Sequence, residues 1–193
     1  MTRQVVAVVA SEATAATAVL TAWERTTTGR IRVLGPIPAW IGRDGVGRAS
    51  ESTAHTPAGV WPLTEAFGTE PARTRLPYRR VTTADWWVSD VDSPCYNTHF
   101  SGAPGTCPFD ETAGENLGAA GPAYAHAVVI GYNRDPVVPG AGSAFFLHVT
   151  DGRPTAGCVA IPKPDLEVLL RWLDPAKHPV IEISRAVPPP SGC

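Results

Sequence analysis

The sequence predicts a single, mainly β domain, a sandwich or small barrel with a few short helices, on three observations. Its apolar runs are short and broken by Gly and Pro, as in RIRVLGP, AWIGRDGVG and HTPAGVWPL, the pattern of strands joined by tight turns. The chain holds 18 Gly and 20 Pro among 193 residues yet is 44% hydrophobic, which favours ordered turns around a core over disorder. At that length one domain buries a core without needing staples.

The elements follow in order. QVVAVVA (4–10) reads as a strand. SEATAATAVLTAWERTT (11–27) reads as a helix, with Ser11 as N-cap, Glu12 in the first turn and Val19, Leu20 and Trp23 on one face. Residues 1–29 are therefore expected to form a strand–helix element packed on a domain of residues 30–184, followed by a Pro-rich tail, 185–193, that ends in Cys193. Between Ile31 and Gly59 the broken apolar pieces predict short strands. AYAHAVVIGYN (123–133) and SAFFLHV (143–149) are the strongest later strands. Alternation puts Tyr124, His126 and Val128 on one face, which makes His126 a packing residue. In PDLEVLLRWLDP (164–175), Pro164 suits a first helical turn, Leu166, Leu169, Leu170 and Leu173 form a stripe, and Pro175 stops the helix.

The chemistry concentrates in FFLHVTDGRPTAGCVAIP (145–162). An imidazole, His148, and a thiol, Cys158, stand at the ends of two strand-like runs joined by a turn-rich loop. Such a pair is a nucleophile beside its base, and an adjacent imidazolium is expected to lower the thiol pKa from its ordinary value of about 8.5. Gly157, without a Cβ, lets substrate approach the backbone and lets N–H groups face a developing oxyanion. The segment points to acyl transfer through a thioester.

The string LHV…PTAGCVAI resembles the signature of the L,D-transpeptidase catalytic (YkuD) family, and the upstream strings HTPAGVWPL, WWVSDVDSPCYN and VVIGYNRDPVVPGAGSAFFLH extend the likeness over most of residues 30–184. The resemblance implies that family's fold and its action on peptidoglycan stem peptides, with Cys158 as nucleophile, His148 as base, Gly157 in the oxyanion turn and Thr155 as the small hydroxyl residue before it. The commoner pattern has His before Gly-Cys and Arg or Asn two positions after the Cys, where this chain has Ala156 and Ala160, and its connector is shorter. L,D-carboxypeptidase activity, by transfer to water, and a non-catalytic cell-wall binding domain are the alternatives.

Other residues complete the expected site. Arg134 is the best carboxylate-binding side chain near the active strands, and His55, in a polar loop entering a turn, is placed to reach substrate or to stand in solvent. Asn133 suits a turn, and Trp86 and Trp87 suit packing. Cys95 and Cys107 flank a Gly/Pro-containing loop that can close on itself. A bridge there would stabilise by about 3 kcal/mol on the chain-entropy model, and two unpaired thiols are the alternative.

A net charge of −2, a pI near 6.2 and scattered Lys and Arg argue against a nucleic-acid partner. No run approaches the ~18 apolar residues of a membrane span, and QVVAVVA is too short for a signal-peptide core with a cleavage site. An extracytoplasmic or cell-wall location is expected from the substrate, with no export signal visible. A monomer without cofactor is expected, and no metal-binding motif occurs; a zinc site from Cys158, His148 and His126 is the poorer use of those residues.

Overall fold

The computed structural model describes residues 2–186. Cys193 and all of the expected tail beyond Ala186 lie outside the described residues. The first strands are β1 (Gln4–Ala10), β2 (Thr17–Thr26), β3 (Gly29–Trp40), β4 (Val46–Gly47), β5 (Thr56–Pro57), β6 (Gly59–Gly68) and β7 (Tyr78–Arg80). There follow β8 (Asp85–Val88), β9 (His99–Ser101), β10 (Gly114–Asn116), β11 (Ala127–Ile130), β12 (Phe146–Val149), β13 (Val159–Ile161), the helix α1 (Lys163–Trp172) and β14 (Val180–Arg185).

The main sheet runs β11-β12-β13-β3-β2-β1-β14-β6-β7, and β11 also pairs with β6, so the sheet closes into a barrel-like form. Closure leaves few free edges, which suits a chain of many short strands. The expectation of a mainly β fold holds. The helix expected over residues 11–27 does not: β2 occupies most of it, paired antiparallel with β1 from Gln4↔Glu24 to Ala10↔Ala18. Ala18, Leu20 and Ala22 are buried, a period of two, and the Thr-rich run favours extended backbone. Residues 4–26 are thus two internal strands of the sheet and not an element laid upon it.

Val6 and Val8 of β1, Leu63 of β6, Val128 and Ile130 of β11, Leu147 of β12 and Ile161 of β13 share one core with Leu166, Leu169 and Leu170 of α1. Each such side chain contributes about 1.5–3 kcal/mol by leaving water. The expected leucine stripe is the buried face of α1, and Pro164 lies in its first turn. The end of α1 is held by the buried Gln4 amide, which donates to the Trp172 carbonyl at 2.8 Å and accepts from the Asp174 N–H at 2.8 Å, satisfying groups a helix terminus leaves open.

A second sheet, β10-β8-β9, covers the outer face of β11 and β12. Trp87 meets Phe146 edge-on at 5.1 Å, in a layer with Phe67, Leu117 and Tyr124. Tyr124 lies in a 3₁₀ turn, Gly121–Tyr124, not on a strand, so the face expected to hold Tyr124, His126 and Val128 is divided: Val128 joins the barrel core and Tyr124 the outer layer. His126 is buried, with Nδ1 3.2 Å from the Tyr78 hydroxyl. No helix among the described residues is long and apolar enough to cross a membrane.

Candidate active site

β12 and β13 run parallel, with Leu147↔Val159, His148↔Ala160 and Val149↔Ile161 in register. Side chains alternate along a strand. Leu147, Val149, Val159 and Ile161 enter the barrel core, so His148 and Cys158, one residue before β13, turn to the other face beneath the second sheet. The alternation that builds the core therefore also puts imidazole and thiol on one surface.

The Cys158 sulfur is tethered at both ends of β12's approach: it accepts from the Phe146 N–H at 3.3 Å, and its S–H donates to the Ala144 carbonyl at 3.3 Å. Burial, and after it the Glu115 carboxylate, push the thiol pKa well above its ordinary value. His148 Nδ1 lies 2.9 Å from the Val149 carbonyl, which makes Nδ1 the protonated nitrogen and leaves the Nε2 lone pair free. Burial lowers the His148 pKa, against the smaller opposing effects of that carbonyl and Asp151. Both directions run against the expected imidazolium–thiolate pair, because a poorly solvated setting disfavours both charged forms.

Gly157 adopts φ +141°, and a Cβ there would lie 2.6 Å from the Phe145 ring and 3.0 Å from the His55 carbonyl oxygen. Its N–H is engaged by Thr155 Oγ1 at 3.0 Å, and that hydroxyl donates to the Cys158 carbonyl at 2.6 Å. Thr155, expected as the small hydroxyl residue of this segment, therefore closes the turn before Cys158. In the turn expected to hold the oxyanion, Gly157 supplies close packing and backbone freedom. Arg134 is likewise committed elsewhere: its guanidinium lies 4.9 Å over the Trp87 ring and 3.3 Å from Glu65 Oε1. His55 packs against Gly47 with Nδ1 buried and unpartnered, behind the turn, and does not line the pocket at the thiol. Cys95 and Cys107 are free cysteines. Their loop is closed by a carboxylate, since Glu111 accepts from the N–H groups of Gly105 at 2.8 Å and Cys107 at 3.1 Å.

A pocket of about 330 Å³ opens on Cys158, bounded by Arg43, Glu51, Ser89, Glu115 and Ser143. A larger cavity of about 590 Å³, beside Trp61, Tyr132 and Ile183, contains neither thiol nor imidazole. Arg43 is brought in by its loop, whose N–H bonds the Thr155 carbonyl at 3.0 Å while Thr155 N–H bonds Ile41 at 2.9 Å. Glu115 accepts a hydrogen bond from the Tyr124 hydroxyl, and the Tyr124 ring stands edge-on to His148 at 5.4 Å. Neither Arg43 nor Glu115 was marked in the sequence, where Tyr124 stood only as a strand-face residue, and only Arg43, a charged residue in the Gly-flanked turn AWIGRDGVG, carried a local signal.

Asn97 is the polar anchor behind the site. Its Oδ1 accepts from Trp87 Nε1 at 2.9 Å and from the Ala144 N–H at 3.3 Å, and its Nδ2 donates to the carbonyls of Tyr132 at 3.2 Å and Asn133 at 2.7 Å. Asn133 is structural as expected, holding Val138 and Gly142 through its amide. Asn97→Ala leaves several buried groups unpaired and is expected to destabilise by about 2–3 kcal/mol, read from the urea unfolding midpoint. An unchanged midpoint would contradict the anchoring role.

Neither a curated protein nor a solved structure matches the chain. A model of the L,D-transpeptidase catalytic domain (YkuD) does match, over residues 5–181. With 177 of the 193 residues covered, the chain belongs to that family of enzymes acting on peptidoglycan.

Proposed function

We propose that the protein carries out cysteine-dependent acyl transfer on peptidoglycan stem peptides, through a thioester at Cys158. The observation that carries this reading is the placement of Cys158 and His148 on one face of adjacent parallel strands, with Cys158 lining an open pocket. His148 Nε2, freed by the Nδ1 contact to Val149, takes the thiol proton as sulfur attacks the carbonyl of an L residue at its bond to a D residue. Both groups start neutral, so proton transfer accompanies attack. The C–N bond breaks, the imidazolium returns its proton to the leaving amine, and backbone N–H groups of the turn at Cys158 hold the oxyanion. An amine acceptor then gives a cross-link, and water gives the carboxypeptidase product. Arg43, on the pocket wall, is the cation for a substrate carboxylate, the role expected of Arg134. The work of such an enzyme lies outside the cytoplasmic membrane, where its substrate is.

Incubation with a carbapenem tests the reading, since these compounds acylate the transpeptidase thiols of this family. Intact mass is expected to rise by one carbapenem, mapped to the peptide containing Cys158. Absence of an adduct, or an adduct on Cys95 or Cys107 alone, rejects the nucleophile. The rate of adduct formation is also expected to depend on pH. The His148 pKa is lowered, so the base is neutral above the ordinary histidine range and is lost as pH falls through the lowered value. The thiol pKa is raised, so the thiol stays protonated and the rate is level from the ordinary histidine range through pH 8. A rate that climbs about tenfold per pH unit from pH 7 to 8, as attack by thiolate formed without the base gives, contradicts the neutral pair.

A further inference from the structure

Three protic groups from separate segments converge outside the motif that carries His148 and Cys158. β10 brings the Glu115 carboxylate to the wall of the pocket that opens on the thiol. The 3₁₀ turn before β11 brings Tyr124, whose hydroxyl donates to Glu115 and whose ring meets His148. The third is the Cys158 thiol, which packs against the aromatic layer that contains Tyr124. Trp87 is the register partner of Glu115 on β8, so an apolar indole backs the carboxylate strand and cannot neutralise its charge.

We propose that Glu115, held by the Tyr124 hydroxyl, is a positioning residue that keeps the Cys158 thiol protonated in the empty site, so that thiolate forms only when the Glu115 charge is offset. The argument is one of charge order. A carboxyl starts about four pH units more acidic than a thiol, so as pH rises Glu115 is ionised before Cys158. The thiolate must then form beside an existing anion in a poorly solvated pocket, and like charges there oppose each other strongly. The resulting directions agree: burial and then Glu115 raise the thiol, while burial raises Glu115 and the Tyr124 hydrogen bond lowers it. The other charged groups at the pocket do not cancel Glu115. Glu51 is itself an anion, engaged by the Tyr96 hydroxyl, and His148 is held neutral by burial. Arg43 is the one cation among the twelve residues that line the pocket, and it comes from the side of the turn before Cys158. A substrate group that donates to Glu115 or pairs with it therefore lowers the cost of making the nucleophile, which spares the resting thiol from oxidation and stray electrophiles.

The proposal rests on Cys158 as the nucleophile, yet its test is independent of acyl transfer. The rate of iodoacetamide alkylation of Cys158 is followed by peptide mass from pH 7 to 11, on full chain shown folded by circular dichroism. Glu115→Gln keeps the shape and removes the charge, and its alkylation midpoint is expected about one pH unit below wild type, or about tenfold faster alkylation at pH 8. Glu115→Asp retains the charge and is expected to stay close to wild type, which a loosened pocket would not. Tyr124→Phe removes the hydrogen bond that favours the ionised carboxylate, and a smaller shift in the same direction is expected, which keeps the test available if Glu115→Gln does not fold. A Glu115→Gln profile that overlays wild type, or equal shifts in Gln and Asp variants, overturns the proposal. A missing carbapenem adduct with the alkylation shift intact would instead reject acyl transfer while leaving the role of Glu115 standing.

Discussion

Replacing His148 by Ala is expected to slow carbapenem acylation of Cys158 by about 10²- to 10⁴-fold, the usual loss for a positioned base. The thiol cannot compensate by ionising on its own, because burial and Glu115 hold its pKa up and leave almost no thiolate near neutral pH. With the sulfhydryl donating to the Ala144 carbonyl, only a base on the same face can draw the proton as attack begins. His148 stands there and has one nitrogen committed to Val149, which fixes the tautomer. His126 is the control: it is engaged by Tyr78, and its Nε2 lies 3.6 Å from Glu167, away from the thiol pocket. His126→Ala is expected to change stability modestly and acylation little. Adduct formation by mass spectrometry, on variants first shown folded, decides the matter. Wild-type acylation in His148→Ala, or its loss in His126→Ala alone, rejects His148 as the base.

The shared face of His148 and Cys158 was legible in the sequence because both residues sit in local patterns. SAFFLHV and CVAI are short apolar runs whose alternation fixes which side chains leave the core, and Gly157 marks the turn between them. The leucine stripe and Pro164 announced α1 in the same way. Around β2 two periods competed. Val19, Leu20 and Trp23 fit a helical face, yet Ala18, Leu20 and Ala22 fit a strand, and pairing with β1 and β3 decided for the strand. The pocket wall was illegible for another reason. Arg43 and Glu115 come from segments 115 and 43 residues before Cys158 and are joined to it only by the fold. Arg134, which looked free, is occupied by Trp87 and Glu65, partners that no local spacing announces. Thiol acidity misled for the same cause: proximity to an imidazole was visible in the string, and burial beside a remote carboxylate was not.

Phe146 is where stability and site geometry depend on one residue, and Phe146→Ala is expected to cost about 3–5 kcal/mol. Its side chain is fully buried and makes edge-on contacts with Phe67 at 4.9 Å, Trp87 at 5.1 Å and Tyr124 at 5.6 Å. Removing the ring opens a cavity between the closed sheet and the second sheet, and each lost aromatic pair adds to the lost transfer energy. For a chain of this size that amounts to a fall in melting temperature of roughly 10 °C. The effect reaches the chemistry through the same residue, since the Phe146 N–H donates to the Cys158 sulfur and Tyr124, relieved of its neighbour, carries the hydrogen bond to Glu115. Phe146→Leu refills part of the volume and keeps the backbone contact, so it is expected to cost less in stability and to retain more of the acylation rate. Thermal unfolding and adduct formation measured on both variants separate the two consequences. A melting temperature within 2 °C of wild type for Phe146→Ala would mean that the two sheets do not depend on this ring, and the aromatic layer would then not be what holds the pocket wall against the thiol.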